Sequence, residues 1–498
     1  MKRSSWWTPS RFSASWLPGP GLLALALALG GCGATARIVG QGPADLPLPA
    51  GIEVAFNHRS DRHYTSPIDG RSRNGDDLES LLLETIQRAD REILVAVQDL
   101  ALPRVAEALV ARHRAGIAVK VVLENTYSVP WSHQHLHDLS PHQRLRHSGL
   151  MALADRDRDG ALSSAELEQG DAVAILQRGG IPLIDDTADG SAGSGLMHHK
   201  FLIADGRWLV TGSANFTASG THGDAGASRT RGNVNHLLRI DSPALAALFD
   251  AEFQRMWGDG PGGEADSRFG ISKEQGGVQS ASVGNTAVEV LFSPHRRRDP
   301  ENGLAFLEQR LAQATSHVDM ALFVFSAQGL ADQLALLNHQ GMAIRLLADP
   351  GFASRSFSEV LDLLGVALPD HRCKIETDNT PWTRPLQGVG TPKLARGDKM
   401  HHKFAVIDGK TVITGSFNWS PAAAHANDEA LLVVHSPVLA AHFTREMDRM
   451  WQGAELGITA RMQRKLERRH RTCGSGTERA AASPRGSHLM GAVPSGVA

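Results

Sequence analysis

The chain repeats itself, and this internal duplication constrains its architecture more than any other feature of the sequence. One copy of the repeated string contains His198, Lys200, Asp205, Ser213 and Asn215. The second copy places His401, Lys403, Asp408, Ser416 and Asn418 at identical spacings. A duplicated string of this length predicts two units that share one fold and are related by an approximate twofold axis.

Each copy of the string follows the same pattern of helices and strands. Apolar strands at 93–97 and 119–123 alternate with amphipathic helices, and 318–325 and 344–347 repeat the arrangement. Buried apolar strands joined by helices are typical of a sheet covered by helices. We therefore predict an α/β fold of two halves, 51–257 and 287–453, joined by a Gly-, Ser- and Asp-rich linker at 258–286.

The repeated string carries side chains suited to phosphate chemistry. Residues i and i+2 of a strand share a face, so His198 lies beside Lys200 and His401 beside Lys403. Histidine attacks or transfers protons near neutral pH, and lysine attracts a phosphate oxygen. Four further side chains would hydrogen-bond the same phosphate: Ser213, Asn215, Ser416 and Asn418. The two copies predict one pocket in which one histidine attacks phosphorus and the other protonates the leaving oxygen.

The doubled string resembles the HKD motif of the phospholipase D superfamily, over about residues 50–453. The resemblance implies two α/β/α sandwich halves, a covalent phosphohistidine intermediate and catalysis without a metal or other cofactor. It also puts Asp205 and Asp408 among the candidate catalytic residues. Each of these aspartates precedes a glycine in a predicted hairpin turn, where Asp is common for local backbone reasons. A structural role is therefore the alternative.

The two halves differ at a position that, by the resemblance, supports the catalytic histidine. Aligning 233–238 with 427–432 sets Asn235 opposite Glu429. We expect Glu429 beside His401, where a carboxylate raises the pKa of the imidazole and suits a general acid. Asn235 beside His198 would leave that ring neutral and able to attack. The resemblance also favours the first histidine as the nucleophile.

Residues 155–166 resemble an EF-hand calcium loop inserted in the first half, at about 140–170. The predicted ligands are Asp155, Asp157, Asp159, the carbonyl of Ala161, Ser163 and Glu166. Oxygen ligands at positions 1, 3, 5, 7, 9 and 12, with Gly160 at position 6, are the pattern that calcium requires. We expect Ca²⁺ here, in a structural or a regulatory role, and an acidic turn without a metal is the alternative.

The N-terminus predicts export and a lipid anchor. Residues 1–31 combine a positive segment with a short apolar run, which is typical of a signal peptide. They end at Cys32 in a lipobox-like sequence, so we expect lipidation there, with 32–50 as a tether. The expected location is the outer membrane, facing the periplasm; ordinary secretion with a free Cys32 is the alternative.

The other end of the chain predicts less order. Residues 454–498 begin with a basic, helix-compatible piece and continue into a Gly-, Ser- and Ala-rich segment that predicts a disordered tail. The remaining cysteines, Cys373 and Cys473, could pair in an oxidising compartment. The sequence leaves that pairing open.

The substrate is the least determined property. The chain has 51 Lys and Arg against 53 Asp and Glu, so no globally basic nucleic-acid binder is indicated. A lipid anchor near phospholipid favours hydrolysis of phospholipid head groups. An endonuclease that cuts DNA or RNA by the same two-histidine mechanism is the alternative. An apolar rim around a pocket that faces the anchored membrane would indicate lipid, and a basic groove running past both motif lysines would indicate nucleic acid. Since both halves lie in one chain, we expect a monomer.

Overall fold

The first half forms a seven-stranded sheet flanked by helices. The structure is a computed structural model that describes residues 45–191, 195–225 and 229–474. The strands are β1 (Ile52–Phe56), β2 (His63–Thr65), β3 (Ser72–Asn74), β4 (Glu92–Val97), β5 (Ala118–Leu123), β6 (Leu183–Asp185), β7 (Lys200–Ala204), β8 (Trp208–Gly212) and β9 (His236–Asp241). The helices are α1 (Leu78–Arg88), α2 (Pro103–Arg114), α3 (Pro141–Ala154), α4 (Ser164–Gly170), α5 (Ala172–Arg178), α6 (Ala218–Thr221) and α7 (Pro243–Trp257). The sheet order is β1-β9-β8-β7-β4-β5-β6, and β2 pairs separately with β3.

The second half repeats this plan in a nine-stranded sheet. Its strands are β10 (Gln279–Val283), β11 (Thr286–Ser293), β12 (His317–Leu322), β13 (Ala343–Ala348), β14 (Val389–Thr391), β15 (Lys403–Ile407), β16 (Thr411–Gly415), β17 (Glu429–His435) and β18 (Glu455–Leu456). Its helices are α8 (Gly303–Leu311), α9 (Gln328–His339), α10 (Glu359–Leu363), α11 (Pro421–His425), α12 (Pro437–Trp451) and α13 (Ala460–Cys473). The order β11-β17-β16-β15-β12-β13-β14 matches the order β1-β9-β8-β7-β4-β5-β6 of the first sheet, strand for strand.

Apolar cores cover both faces of each sheet. One core joins the halves, because it contains Phe249 of α7, Phe443 of α12 and residues from both sheets such as Phe201 and Phe404. A separate core on the far face of each sheet packs the remaining helices against it. The predicted pair of α/β/α halves is confirmed. None of the described helices is long and apolar enough to cross a membrane.

The predicted boundaries need correction at two places. Residues 279–283 of the expected linker form β10, an edge strand of the second sheet. The predicted tail begins in ordered structure: its first residues form β18, and its basic, helix-compatible piece forms α13, which belongs to the second half. Met462 of α13 is buried in the second-half core, and Cys473 forms a disulfide with Cys373. The composition alone did not reveal that these contacts fix a strongly charged segment; residues 475–498 lie outside the described residues.

Candidate active site

The two motif histidines lie where the halves meet. Each stands two residues before the first residue of a central strand, β7 or β15. The backbone N–H of His198 donates to the Asp428 carbonyl (3.0 Å), and that of His401 donates to the Val234 carbonyl (3.1 Å). Each histidine is thus held by the strand-entry segment of the opposite half, which builds one site from two copies.

The carboxylate and the amide exchange their expected partners. His198 Nδ1 lies 2.7 Å from Glu429 Oε2, and His401 Nδ1 lies 3.0 Å from Asn235 Oδ1. The expectation that Glu429 supports His401 and Asn235 supports His198 is therefore wrong. Alignment compares equivalent positions within the halves, whereas the twofold arrangement pairs each histidine with the other half.

In the new pairing each ring meets its partner through Nδ1, and Nε2 of His401 also lies 3.4 Å from Lys403 Nζ. His198 Nδ1–H donates to the Glu429 carboxylate, and His401 Nδ1 faces two acceptors, the Asn235 amide oxygen and the Ser213 carbonyl (3.0 Å). A carboxylate stabilises positive charge on the ring more strongly than an amide oxygen does. The two rings therefore differ in the counter-charge that each partner supplies.

The motif lysines make the pocket electropositive. Lys200 and Lys403 are each 1% exposed and donate to the backbone carbonyls of His198 and His401, at 2.7 and 2.8 Å. Burial lowers the pKa of Lys200 to about 7, and burial together with Lys200 lowers the pKa of Lys403. Burial and the two lysines also lower the pKa values of both histidines. An arriving phosphate diester would reverse these shifts, because its negative charge favours every cationic form.

Comparison with known proteins decides the family. The family model described as "Cardiolipin synthase, PLD-like domain" matches residues 82–257 and 307–451, more than half of the chain. The chain belongs to the PLD-like family. Its members are phosphodiesterases, so the superfamily prediction is confirmed at that level.

Similar proteins of the PLD-like family carry different names. A relative named mitochondrial cardiolipin hydrolase from Xenopus tropicalis is 30% identical over 176 residues, which are 34% of this chain and 72% of the relative. The phosphatidylserine synthase structure from Haemophilus influenzae is 11% identical, with a TM-score of 0.49 and coverage of 83% of this chain and 89% of that one. Nuc from Salmonella typhimurium is 21% identical, with a TM-score of 0.26, over 34% of this chain and 97% of that one.

The PLD-like serines support the histidine partners, whereas we expected them to bind phosphate. Ser213 Oγ donates to Asn235 Oδ1 at 2.8 Å. Ser416 Oγ accepts from the Ala430 N–H at 3.0 Å, and its hydrogen bond to Glu429 lowers the pKa of that carboxyl. Burial is the stronger effect and raises the pKa of Glu429 to about 7.

The two asparagines keep an unused acceptor in the site. The Oδ1 atoms of Asn215 and Asn418 are buried without a hydrogen-bond partner among the described residues. Asn215 also donates to Gln98 Oε1 at 3.2 Å. Both asparagines remain candidates for contacting substrate.

The motif aspartates lie away from the histidines. Asp205 follows the five-residue β7, so at about 3.3 Å per residue it lies roughly 16 Å from Lys200. It accepts backbone N–H groups of Asp90, Arg91 and Glu92. Asp408 likewise accepts from Thr315, Ser316 and His317. Both have positive φ, 57° and 54°. Their assignment as catalytic residues is wrong, and the structural alternative is the correct one.

A second layer of histidines fixes the strands from behind. Nε2 of His199 donates to Glu252 and Nε2 of His402 donates to Glu446, both at 3.1 Å, and all four side chains are buried. His402 Nδ1 also lies 2.8 Å from Nδ1 of His236, which belongs to the first half. These rings therefore tie helices α7 and α12, and the halves themselves, to the motif strands.

Two residues near the site were missed by the sequence analysis. Gln98 and Phe323 occupy equivalent positions, since their N–H groups donate to the carbonyls of His199 and His402. The Phe323 ring lies 4.6 Å from the His401 ring, between centroids. Asp99, next to Gln98, raises the pKa of Lys200 against the effect of burial and pairs with Arg146 of α3 at 2.8 Å. The only signal was their place directly after a buried strand.

The EF-hand-like loop joins α3 to α4 in a helix–loop–helix arrangement. Oxygens of Asp155, Asp157 and Asp159 lie within 4.8 Å of one another. Asp155 Oδ1 is buried and has no hydrogen-bond partner among the described residues. Ser163 and Glu166 form a capping box at the start of α4. The three aspartates fit a cation, whereas Glu166 is engaged with Ser163 and with the N–H of Arg156 (2.8 Å).

Proposed function

We propose that this PLD-like chain hydrolyses phosphodiesters through a covalent phosphohistidine, with His198 as the nucleophile. The observation that carries the proposal is the 2.7 Å contact between His198 Nδ1 and Glu429. With Nδ1 donating to Glu429, Nε2 of His198 would be the lone-pair nitrogen that attacks, and the carboxylate would supply a counter-charge for the ring that bonds to phosphorus.

The proposed reaction has two balanced steps. In the first, His198 Nε2 forms the N–P bond as the P–O bond to the leaving group breaks, and protonated His401 gives its Nε2 proton to the leaving oxygen. In the second, neutral His401 takes a proton from water, whose oxygen attacks phosphorus and releases His198. Lys200 and Lys403 stabilise the charge on the phosphorus oxygens in both steps.

The test is to trap the intermediate. Wild-type protein, His198→Ala and His401→Ala are mixed with ³²P-labelled diester and quenched in alkali, which preserves phosphohistidine. Label on His198 in the wild type and its absence in His198→Ala support the proposal. Label on His401 would reverse the two roles, and hydrolysis with no labelled protein at any time point would exclude the covalent mechanism.

For the substrate, a nucleic acid strand is the first candidate and a phospholipid the second. A groove lined by Arg355, Lys393, Arg396, Lys399 and Arg461 supports the nucleic acid candidate, although neither Lys200 nor Lys403 belongs to its lining. The likeness to proteins named cardiolipin hydrolase supports the phospholipid candidate. Parallel assays with labelled single-stranded DNA and with cardiolipin vesicles, using His198→Ala as the blank, distinguish the two.

We further propose that the chain is exported and held by lipidated Cys32 at the outer membrane, facing the periplasm. Cys32 lies outside the described residues. The disulfide between Cys373 and Cys473 supports an oxidising compartment. Membrane fractionation of wild type and Cys32→Ser tests the anchor, since the variant should be found in the soluble fraction. Elution of the soluble protein as a monomer would agree with a site complete in one chain.

We also propose that Asp155, Asp157 and Asp159 hold Ca²⁺, with the Ala161 carbonyl, Ser163 and Glu166 as the remaining ligands. Binding by Glu166 requires its carboxylate to leave the capping box. Bound calcium would supply a double positive charge that links α3 to α4 through its ligands. Calcium titration of the thermal midpoint should raise it in the wild type and leave Asp155→Asn/Asp157→Asn unchanged, and equal midpoints with Ca²⁺ and with EDTA in the wild type would exclude the site.

A further inference from the structure

A groove runs from the active site towards the C-terminal helix α13. It has a volume of about 770 Å³ and is lined by residues 349–352, 391–399 and the start of α13. It begins beside the catalytic ring, because Phe323 contacts both His401 and Phe352 at 4.6 Å between ring centroids. Lys399 Nζ lies 5.7 Å from the centre of the Phe323 ring. Substrate leaving His401 on this side therefore enters the groove.

The groove is continuous with a row of cations that we name the basic surface. Its loop members are Arg355, Lys393, Arg396 and Lys399, and its helix members are Arg461, Lys465 and Arg468. Repulsion from Arg355, Arg468 and Arg461 helps burial to lower the pKa of Lys465, so the loop and helix members lie close together. No carboxylate of the described chain forms an ion pair with any of these seven side chains.

The carboxylates inside the groove are occupied by the backbone. Asp349 accepts N–H groups of Gly351 and Met400, at 2.8 and 3.1 Å. Asp398 accepts the N–H of Arg231 at 2.9 Å. Glu455 accepts the N–H of Ala460. These contacts engage each carboxylate with the backbone, although Lys399 also lowers the pKa of Asp349 by its charge, against the stronger effect of burial. The five cations of the groove outnumber its three carboxylates, which favours an external anion.

Helix α13 presents charge outward because its apolar side faces the protein. Met462 is 1% exposed and Leu466 packs on the second-half core. Arg461 and Lys465 donate to Ser354, and the disulfide of Cys473 fastens the helix end. A helix that inserts into a bilayer needs an exposed apolar face. The outward face of α13 is charged, which suits an extended polyanion; the exposed Leu456 and Ile458 lie just before the helix.

We propose that the basic surface binds the phosphate backbone of a single-stranded nucleic acid on one side of the scissile bond. Cations along a groove follow such a backbone without base recognition. The Phe352 and Phe323 rings at the groove entrance can stack on a base. The proposal rests on phosphodiester hydrolysis at His198, but binding is measured without turnover, so the two can fail separately.

The experiment measures binding of a fluorescein-labelled 30-nucleotide single-stranded DNA to the His198→Ala protein by anisotropy. In that background Arg461→Glu/Arg468→Glu should weaken binding at least about tenfold. For single strands, the slope of log K against log[salt] decreases in magnitude by about 0.7 for each phosphate contact removed. Loss of two contacts should therefore reduce it by about 1.4. Arg461→Lys/Arg468→Lys should retain most of the affinity, since charge alone is needed. Arg114→Glu/Lys410→Glu, of equal charge change on other exposed sites, is the matched control.

Two results would overturn the proposal. One is an equal loss of affinity in the α13 variant and in Arg114→Glu/Lys410→Glu, because net charge would then explain the effect. The other is unchanged DNA affinity in the α13 variant together with lost binding to cardiolipin vesicles, which would make the surface a lipid contact. If DNA binding requires Arg461 and Arg468 but the wild-type protein cleaves no strand, the basic surface is supported as a DNA-binding site and nuclease activity is rejected.

Discussion

The two halves share a scaffold but give their histidines different surroundings. His198 contacts the Glu429 carboxylate, whereas His401 contacts the Asn235 amide oxygen. Both rings also hydrogen-bond the backbone of a motif serine of the other half, Ser416 or Ser213. Beside the first motif stands Gln98, and at the equivalent place in the second stands the Phe323 ring. The duplication thus supplies two equally placed rings, and a few substitutions give them different partners, on which the proposed division of roles rests.

Replacing either histidine should have the largest effect on activity. On a natural diester, His198→Ala and His401→Ala should each lower kcat by about 10³-fold or more. On a p-nitrophenyl diester, whose leaving group needs no proton, His401→Ala should recover formation of the covalent intermediate, whereas His198→Ala should not. Rapid-quench kinetics with both substrates measures this, and equal recovery in both variants would contradict the assignment.

Exchanging the partners should have the next largest effect. Glu429→Gln removes the counter-charge and can force the wrong tautomer on His198, so kcat should fall by about 10²- to 10⁴-fold. Asn235→Asp leaves His198 untouched and raises the pKa of His401, so a loss of about tenfold or less is expected. Similar losses in the two variants would show that the halves are not specialised.

The pH dependence of kcat/KM tests the same difference between the two halves. Burial raises the pKa of Glu429 to about 7, so kcat/KM should fall below pH 7 as this carboxylate is protonated. Burial lowers the pKa of Lys200 to about 7, so kcat/KM should also fall above pH 7 as the ammonium loses its proton. Glu429→Gln should abolish the acidic limb and keep the alkaline one. An acidic limb that persists in Glu429→Gln belongs to another group.

The buried carboxylates that contact His199 and His402, Glu252 and Glu446, allow the stability of the two halves to be compared. Lys273 and His199 hold the pKa of Glu252 down to about 2 against the effect of burial, and Arg449 similarly lowers the pKa of Glu446. Both carboxylates therefore stabilise the fold above their unfolded pKa of about 4.3 and lose this contribution as pH falls towards their folded pKa values.

Removing these carboxylates should affect the two halves unequally. Glu252→Gln should cost about 3 kcal/mol, because Lys273 is 5% exposed and stays buried with Asp428 as its one remaining carboxylate, beside the Ser293 carbonyl. Glu446→Gln should cost less, since Arg449 is 24% exposed and can reach water. Urea unfolding at pH 7 and pH 4 measures both, and a larger loss in Glu446→Gln would contradict the burial argument.

The turn aspartates should give the smallest effect. Asp205→Asn and Asp408→Asn each weaken three backbone contacts, so about 1 kcal/mol of stability should be lost. Asp408→Asn should lose slightly more, because Thr315 and Ser316 also donate their hydroxyls to Asp408. Activity per folded molecule is the discriminating measurement, and a hundredfold loss in either variant would return these residues to the active site.

Local pattern explains which predictions the sequence supported. The strand and helix pattern placed the α/β halves, and the period-two geometry of a strand put His198 beside Lys200 before any contact was known. The same geometry turned His199 away from the site, where it contacts Glu252. Asp205 was misassigned because a motif shows only which residues are close in sequence. The five-residue strand β7 separates Asp205 in space from His198 and Lys200.

The sequence by itself determined the doubled fold, the paired histidine–lysine motifs and the acidic loop, because strand periodicity and ligand spacing are local properties. Only the tertiary structure decided that Glu429 serves His198, since a twofold assembly pairs residues 231 positions apart. It also decided that a chain with a net charge of −2 carries a basic surface. Folding and the Cys373–Cys473 disulfide bring distant cations together, and composition averages over that segregation.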